Sequence, residues 1–258
     1  MKTLQSHLSF ALSSLILFLF VAPPSSSSQP SPTPPTADVP FVGCKSDGQM
    51  GPMKAPTGKS KTLPIAAANA ERLAYFQGYN GISVLAPRGW YCFSTYGSNG
   101  ESLFVSSEPI NATQLLSSDW KGFTNPVIQL SVSVGDTSGR FEVARFIARV
   151  FPAHKDFVEN VIAEGIEPKE SFPSGAYPND KLTYLTNEMV EYQTPANADG
   201  LGTSSRLLKT SDPISGVAIL LGEETDLLHL SIRLPAHMQD LAPIITHQTE
   251  LRAKDLDK

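Results

Sequence analysis

Residues Asn80–Ser107, NGISVLAPRGWYCFSTYGSNGESLFVSS, constrain the fold more than any other stretch of the chain. Three β-strands are written into it together with their turns. Asn80-Gly81 tolerates positive φ cheaply and marks a turn. Ile82–Leu85 is a short strand-favouring run, and Ala86-Pro87-Arg88-Gly89 forces a second turn. Trp90–Tyr96 is rich in aromatic and strand-favouring residues. A period of two puts Trp90, Cys92, Ser94 and Tyr96 on one face, and Tyr91, Phe93 and Thr95 on the other. Gly97–Gly100 reads as a hairpin loop, and Leu103–Ser107 returns. Rings on both faces of the middle strand predict cover on both sides.

Cys92 has one potential partner, because the chain holds only two cysteines and the other is Cys44. The N-terminus supplies the redox context. Lys2 precedes an apolar run, Leu8–Ala22, which is short for a membrane span and has the length of a signal-peptide core. Small residues near Ser28 suit a cleavage site, so 1–28 is expected to be a signal peptide. Residues 29–40, dominated by Pro, Ser and Thr, read as a disordered tether. In an exported chain an isolated cysteine pair forms a disulfide. Cys44–Cys92 would close a loop of about 48 residues, worth about 4 kcal/mol in the chain-entropy picture. The expected destination is secreted or periplasmic. Residues 41–258 are expected to fold as one domain, readable as two similar halves, 41–166 and 167–258.

The net charge is −5, and removal of Lys2 with the leader takes it to −6. A mildly acidic chain with no basic run argues against a nucleic-acid partner. No later segment looks apolar enough to span a membrane. Met53–Ser60, MKAPTGKS, imitates a phosphate-binding loop. However, Met53 stands where its first glycine belongs, and Pro64 interrupts the helix that should follow.

Along the rest of the chain, Phe41–Gly58 reads as irregular and Ala66–Phe76 as a short helix ended by Gly78. Asn111-Ala112-Thr113 is a glycosylation sequon. Val127–Val134 alternates, with Ile128, Leu130, Val132 and Val134 inward and Gln129, Ser131 and Ser133 outward. Ser138 is expected to cap a broadly apolar helix, Gly139–Phe151, with Glu142, Arg145 and Arg149 as its polar stripe. A second helical piece, Lys155–Glu164, stops at Gly165. Strands are expected at Lys181–Leu185, Met189–Thr194, Ser205–Lys209 and Val217–Leu221. The last strand returns with Leu228, Leu230, Ile232 and Leu234 inward. A final helix runs from about Ala236 to Lys254. RVFPAH (Arg149–His154) and RLPAH (Arg233–His237) echo one another.

The order GISVLAPRGW, hairpin, LFVSSEP, alternating strand and helix FEVARFIARVF resembles PsbP-like and DcrB-like domains over residues 81–151. Their opening signature, strand then Pro-x-Gly-Trp then strand, corresponds here to Pro87-Arg88-Gly89-Trp90. The resemblance implies an antiparallel sheet sandwiched by helices, in proteins that mostly bind or support assembly. It does not extend to the second half, the disulfide or the Glu167–Asp180 loop. Residue patterns and resemblance together give an α+β fold, a largely antiparallel sheet packed by helices.

Catalytic motifs are sparse. The histidines beyond the leader, His154, His229, His237 and His247, show no metal-ligand spacing, and no Gly-x-Ser-x-Gly elbow exists. His237 and His247 would be about 15 Å apart along a helix. A triple such as Ser204, His229 and Asp199 could assemble only through the fold. The candidate binding residues are His229, Ser231 and Arg233, spaced by two on one strand face, where they either line a groove or meet solvent. Arg145 and Arg149, one helical turn apart, could hold an anion, with pairing to Glu142 or a neighbouring carboxylate as the competing reading. Neither a metal nor a cofactor is expected. The first functional expectation is a non-enzymatic extracytoplasmic binding or accessory domain for an unknown protein or small molecule. The alternative is a secreted hydrolase with a His-centred site.

Overall fold

Eight strands form one sheet that carries both expected halves of the chain. The computed structural model describes residues 35–256, and the expected leader and the first half of the tether, 29–34, lie outside them. The chain enters through three short strands, β1 (Ala37–Val39), β2 (Phe41–Gly43) and β3 (Lys45–Gly48). β4 (Lys61–Leu63), the single-turn helix α1 (Ala67–Ala70), β5 (Leu73–Gln77) and β6 (Ser83–Pro87) follow. A meander comes next: β7 (Tyr91–Gly97), β8 (Gly100–Ser106), a connector with the short helix α2 (Ala112–Leu115), and β9 (Val127–Ser133). The helices α3 (Arg140–Val150) and α4 (Lys155–Ala163) lead to β10 (Lys181–Tyr184), β11 (Met189–Thr194), β12 (Ile214–Leu221) and β13 (Asp226–Arg233). A 3-10 segment, Ala236–Leu241, leads into α5 (Ala242–Leu256).

The large sheet has the order β10-β11-β12-β13-β9-β8-β7-β3. Every neighbouring pair is antiparallel except β3–β7. The α+β fold with a mostly antiparallel sheet packed by helices is therefore the fold of this chain. The seam between the expected halves is β9 against β13, where Ile128 pairs with Ile232 and Leu130 with Leu230. The echoed sequences differ in setting: Arg149 lies in a helix, whereas Arg233 ends a strand. The helices α3 and α5 pack on opposite faces of the sheet.

One face of the sheet is apolar at its centre, with Ser94 and Glu101 toward one edge and Glu191 toward the other. Ile128, Leu130, Val217, Ile219, Leu228 and Ile232 meet α5 and a three-stranded layer of order β2-β5-β6. These inward positions are the ones the alternation of β9 and β13 predicts. The opposite face carries two separate apolar patches. Over one end, α3 and α4 bring Val143, Phe146, Ile147 and Val158 down on Val190, Ala218, Leu220 and Leu227. Over the other, Phe93, Phe104, Phe123 and Leu207 cluster beneath Trp120. β7 is thus covered on both sides over part of its length, with Cys92 and the preceding Trp90 on the first core and Phe93 on the third, while Tyr91 stays exposed.

The Cys44–Cys92 disulfide is formed, with Cα atoms 5.4 Å apart. Cys44 lies between β2 and β3, where the chain leaves the small sheet for the edge of the large one. The bond pins that crossing to β7. Among the described residues, no helix is long and apolar enough to cross a membrane.

Several local expectations are corrected. The tether region 29–40 ends in structure: β1 pairs with β4, Val39 is fully buried, and the Thr62 hydroxyl donates to Asp38 at 2.5 Å. The segment 41–58 is not irregular throughout, since β2 and β3 pair with β5 and β7. The helix expected over Ala66–Phe76 stops at Ala70, and Leu73–Gln77 is a strand. Leu73, Ala74 and Phe76 are buried between β2 and β6, and that pairing overrides helix propensity. The three strands of Asn80–Ser107 divide between two sheets, because β6 joins β5 while β7 and β8 join the large sheet. Ser138 does not cap α3; Gly139 occupies that position without a side-chain bond. Ser205–Lys209 makes only an isolated bridge, Phe123 to Leu207.

Candidate functional site

A polar gap separates the two apolar patches on the second face. Its floor is written in the strand register. Ser102 of β8 lies beside Ser131 of β9, which lies beside His229 of β13. The next row holds Phe104, Gln129, Ser231, Gly216 and Tyr192. These are the outward positions of β9 and β13, and α3 roofs part of them. The gap opens as a cavity of about 510 Å³ bordered by Ser102, Gln129, Ser131, Arg145, Arg206 and His229. A further recess of about 250 Å³ shares Ser102, Gln129 and Arg206 and continues toward Trp120.

The hydrogen bonds of the floor fix its polarity. Gln129 Oε1 accepts from the Arg206 backbone N–H at 2.8 Å, so its amide nitrogen must face Ser131 Oγ, also at 2.8 Å. Ser131 and Ser102 hydroxyls meet at 2.8 Å. Tyr192 reaches across Gly216, where a Cβ would lie 1.8 Å from Leu230 O and 2.8 Å from the tyrosine hydroxyl. That hydroxyl is 2.8 Å from each of Leu230 O, His229 Nε2 and Ser231 Oγ.

His229 is 5 % exposed and packs at a tilt of 57° against Phe146, with ring centroids 4.5 Å apart. Burial pushes its imidazole down to about 3, and pushes the Tyr192 phenol well above its usual range. The pair is therefore neutral at ordinary pH. Among the described residues no carboxylate hydrogen-bonds to the His229 ring, and Nδ1 makes no hydrogen bond within the protein. On the α3 wall, Arg145 donates to Glu142 at 3.2 Å and to Glu167 at 2.6 Å. Partial burial raises the Glu142 carboxyl, and Arg145 opposes that rise. Arg206 stands over Trp120 at 6.0 Å.

No family model, curated protein or solved structure matches the chain. What the site can do rests on its own geometry.

Of the residues singled out in sequence, the cavity gathers His229 and Arg145. Ser231 sits behind His229, fully buried. Arg233 is also fully buried, donating to the carbonyls of Phe123 and Leu208. For Arg145 the competing reading, pairing with Glu142 and a neighbouring carboxylate, is the one found. Arg145 serves Glu142 and Glu167, whereas Arg149 donates to Gly175 O and lies over Tyr177 at 4.3 Å. Ser204 borders the cavity, but Asp199 is exposed and pairs with Lys209, so Ser204, His229 and Asp199 form no triad. His154 approaches Glu188 at 3.5 Å, and His247 approaches Glu250 at the same distance. Among the described residues no group of three or more His, Cys, Asp or Glu could hold a metal ion. Sequence reasoning missed Ser102, Gln129, Tyr192 and Arg206. The alternation of β9 did place Gln129 and Ser131 on the polar face, which was the available signal.

The buried imidazole sets a pH dependence. His229 is neutral in the folded chain down to about pH 3, but protonates near 6.5 when unfolded. Its contribution to stability is present above 6.5 and is lost as pH falls. Between about pH 6.5 and pH 4 the loss is about 3 kcal/mol. Glu101, Glu142, Asp180 and Glu250, all raised by burial, act in the opposite direction. Urea unfolding of wild type and His229→Gln across this range separates the two effects. The variant should lose less stability on acidification; parallel pH profiles would refute the assignment.

Proposed function

We propose that the protein is an extracytoplasmic binding domain whose ligand, a small polar molecule, enters the cavity between α3 and the β8–β9–β13 floor. One observation carries this reading. Gln129 and His229 are buried on central strands, 6 % and 5 % exposed, yet they border an open cavity instead of a packed core. Buried polar side chains need hydrogen-bond partners, which the Arg206 N–H, Ser131 and Tyr192 supply here. Polar groups placed around such a space are the usual construction of a ligand site. The leader-like N-terminus, the Pro/Ser-rich segment after it and the disulfide support an exported location.

The hydrolase reading has less support. His229 Nε2 is held by Tyr192 and Ser231, no carboxylate among the described residues bonds to the ring, and an imidazole pushed down to about 3 is a weak general base.

The test is NMR titration of the whole chain with compact polar probes: glucose, glucuronate, inorganic phosphate and glycine. At least one should shift the backbone amides of Ser102, Ser131 and His229 saturably at millimolar concentration or below. If none of the four moves those resonances, the reading fails.

A further inference from the structure

The proton inventory around Tyr192 goes further than a generic polar pocket. Tyr192 has one hydroxyl proton, and three partners surround its oxygen at 2.8 Å. Leu230 O can only accept, so the phenolic proton goes to it. The oxygen is then an acceptor toward His229 Nε2, which must carry the ring proton. Neutral imidazole has one N–H, so Nδ1 is left with a lone pair. Nδ1 has no bond within the protein among the described residues and is not among its sealed-off polar atoms. Since His229 borders the cavity, that lone pair is a fixed acceptor on the floor.

Beside it the floor offers donors. Gln129 Nε2 spends one of its two hydrogens on Ser131, leaving the second. The Ser102–Ser131 hydroxyl pair holds two protons and needs only one for its mutual bond. Donors and an acceptor therefore stand side by side, with no formal charge among them. On the α3 wall two carboxylates share one guanidinium, an excess of one negative charge. Arg206 also borders the cavity, so the charged lining as a whole balances. Phe141 and Phe146 add apolar surface.

Resting on the binding reading above, we propose that the cavity takes an uncharged, hydroxyl-rich solute of about hexose size, one of whose hydroxyls donates to His229 Nδ1 while others accept from Gln129 and the serine pair. Hydroxyl groups both donate and accept, which is the mixture the floor displays. A carboxylate or phosphate there would set an acceptor against the Nδ1 lone pair and approach the acidic wall. The volume of about 510 Å³ lies within the range of small-molecule sites.

The experiment uses the whole chain labelled with 15N-histidine. In the free protein, long-range 1H–15N spectra should show His229 protonated at Nε2 and bare at Nδ1. Glucose, galactose and myo-inositol are titrated beside glucuronate and inorganic phosphate. At least one neutral probe should shift the Nδ1 resonance saturably, with glucuronate at least about tenfold weaker, the cost of one mismatched hydrogen bond. Ser131→Val should weaken the neutral probe by roughly tenfold. Ser102→Ala, at a half-buried position, gives the same direction should the first variant fold poorly. An Nδ1–H tautomer in the free protein overturns the inference. Tighter binding of glucuronate or phosphate at these resonances overturns the ligand class but leaves the binding reading standing. Silence from every probe overturns this inference, and silence from glycine as well overturns the binding reading.

Discussion

Arg233→Ala should destabilise the fold by about 3–5 kcal/mol, the range for stripping a buried, hydrogen-bonded cation from a packed site. Arg233 is among the largest fully buried side chains, and its guanidinium is held by two carbonyl oxygens, Phe123 O at 3.1 Å and Leu208 O. Burial lowers its proton affinity, partly offset by Asp212. The alanine variant leaves both carbonyls without that donor and opens a void beneath the Phe104–Phe123–Trp120 cluster. Arg233→Lys should recover little, because one ammonium cannot reproduce the planar fork. Urea unfolding gives the magnitude. Tryptophan emission gives the location, since Trp120 meets Phe123 edge-on at 4.8 Å. A variant within about 0.5 kcal/mol of wild type, with unchanged emission, would show that Arg233 is not what ties this cluster to the sheet.

Removing the disulfide should cost about 4 kcal/mol, from the loop of 48 residues that it closes. The Cys44→Ala/Cys92→Ala protein should unfold at lower urea than the oxidised wild type, and reduced wild type should match it. The loss is expected to begin locally. β3 is a four-residue edge strand paired in parallel with β7, and Cys44 is the residue before it. Hydrogen exchange at Lys45–Gly48 should rise before exchange in β9 or β13. Equal urea midpoints for oxidised and reduced protein would mean that pairing alone holds the crossing.

The parts of the fold legible in sequence were those whose side chains report their own surroundings. The period-two patterns of β9 and β13 announced both strands and their inward faces, and the isolated cysteines announced their partner. The parts that were not legible depend on distant backbone. LAYFQ has residues that suit a helix, and only β2 and β6 on either side make it a strand. FVG and KSDG carry no period, and owe their order to β5 and β7. The site was half legible for the same reason. His229, Ser231 and Arg233 do share a face, but α3 and the Phe123–Leu208 loops cover it unevenly. One residue borders a cavity while the other two are sealed. Tyr192 enters because Gly216 leaves room across β12, which no local pattern in β11 discloses.

The parallel pairing of β3 has a consequence for the nascent chain. Cys44 leaves the ribosome 48 residues ahead of Cys92, so its thiol must wait through the synthesis of β4, β5 and β6. With no third cysteine in the sequence, the growing chain cannot mispair with itself. In an oxidising compartment, premature oxidation can join Cys44 only to a thiol of another molecule, as a mixed disulfide or an intermolecular cross-link, and slow translation favours it.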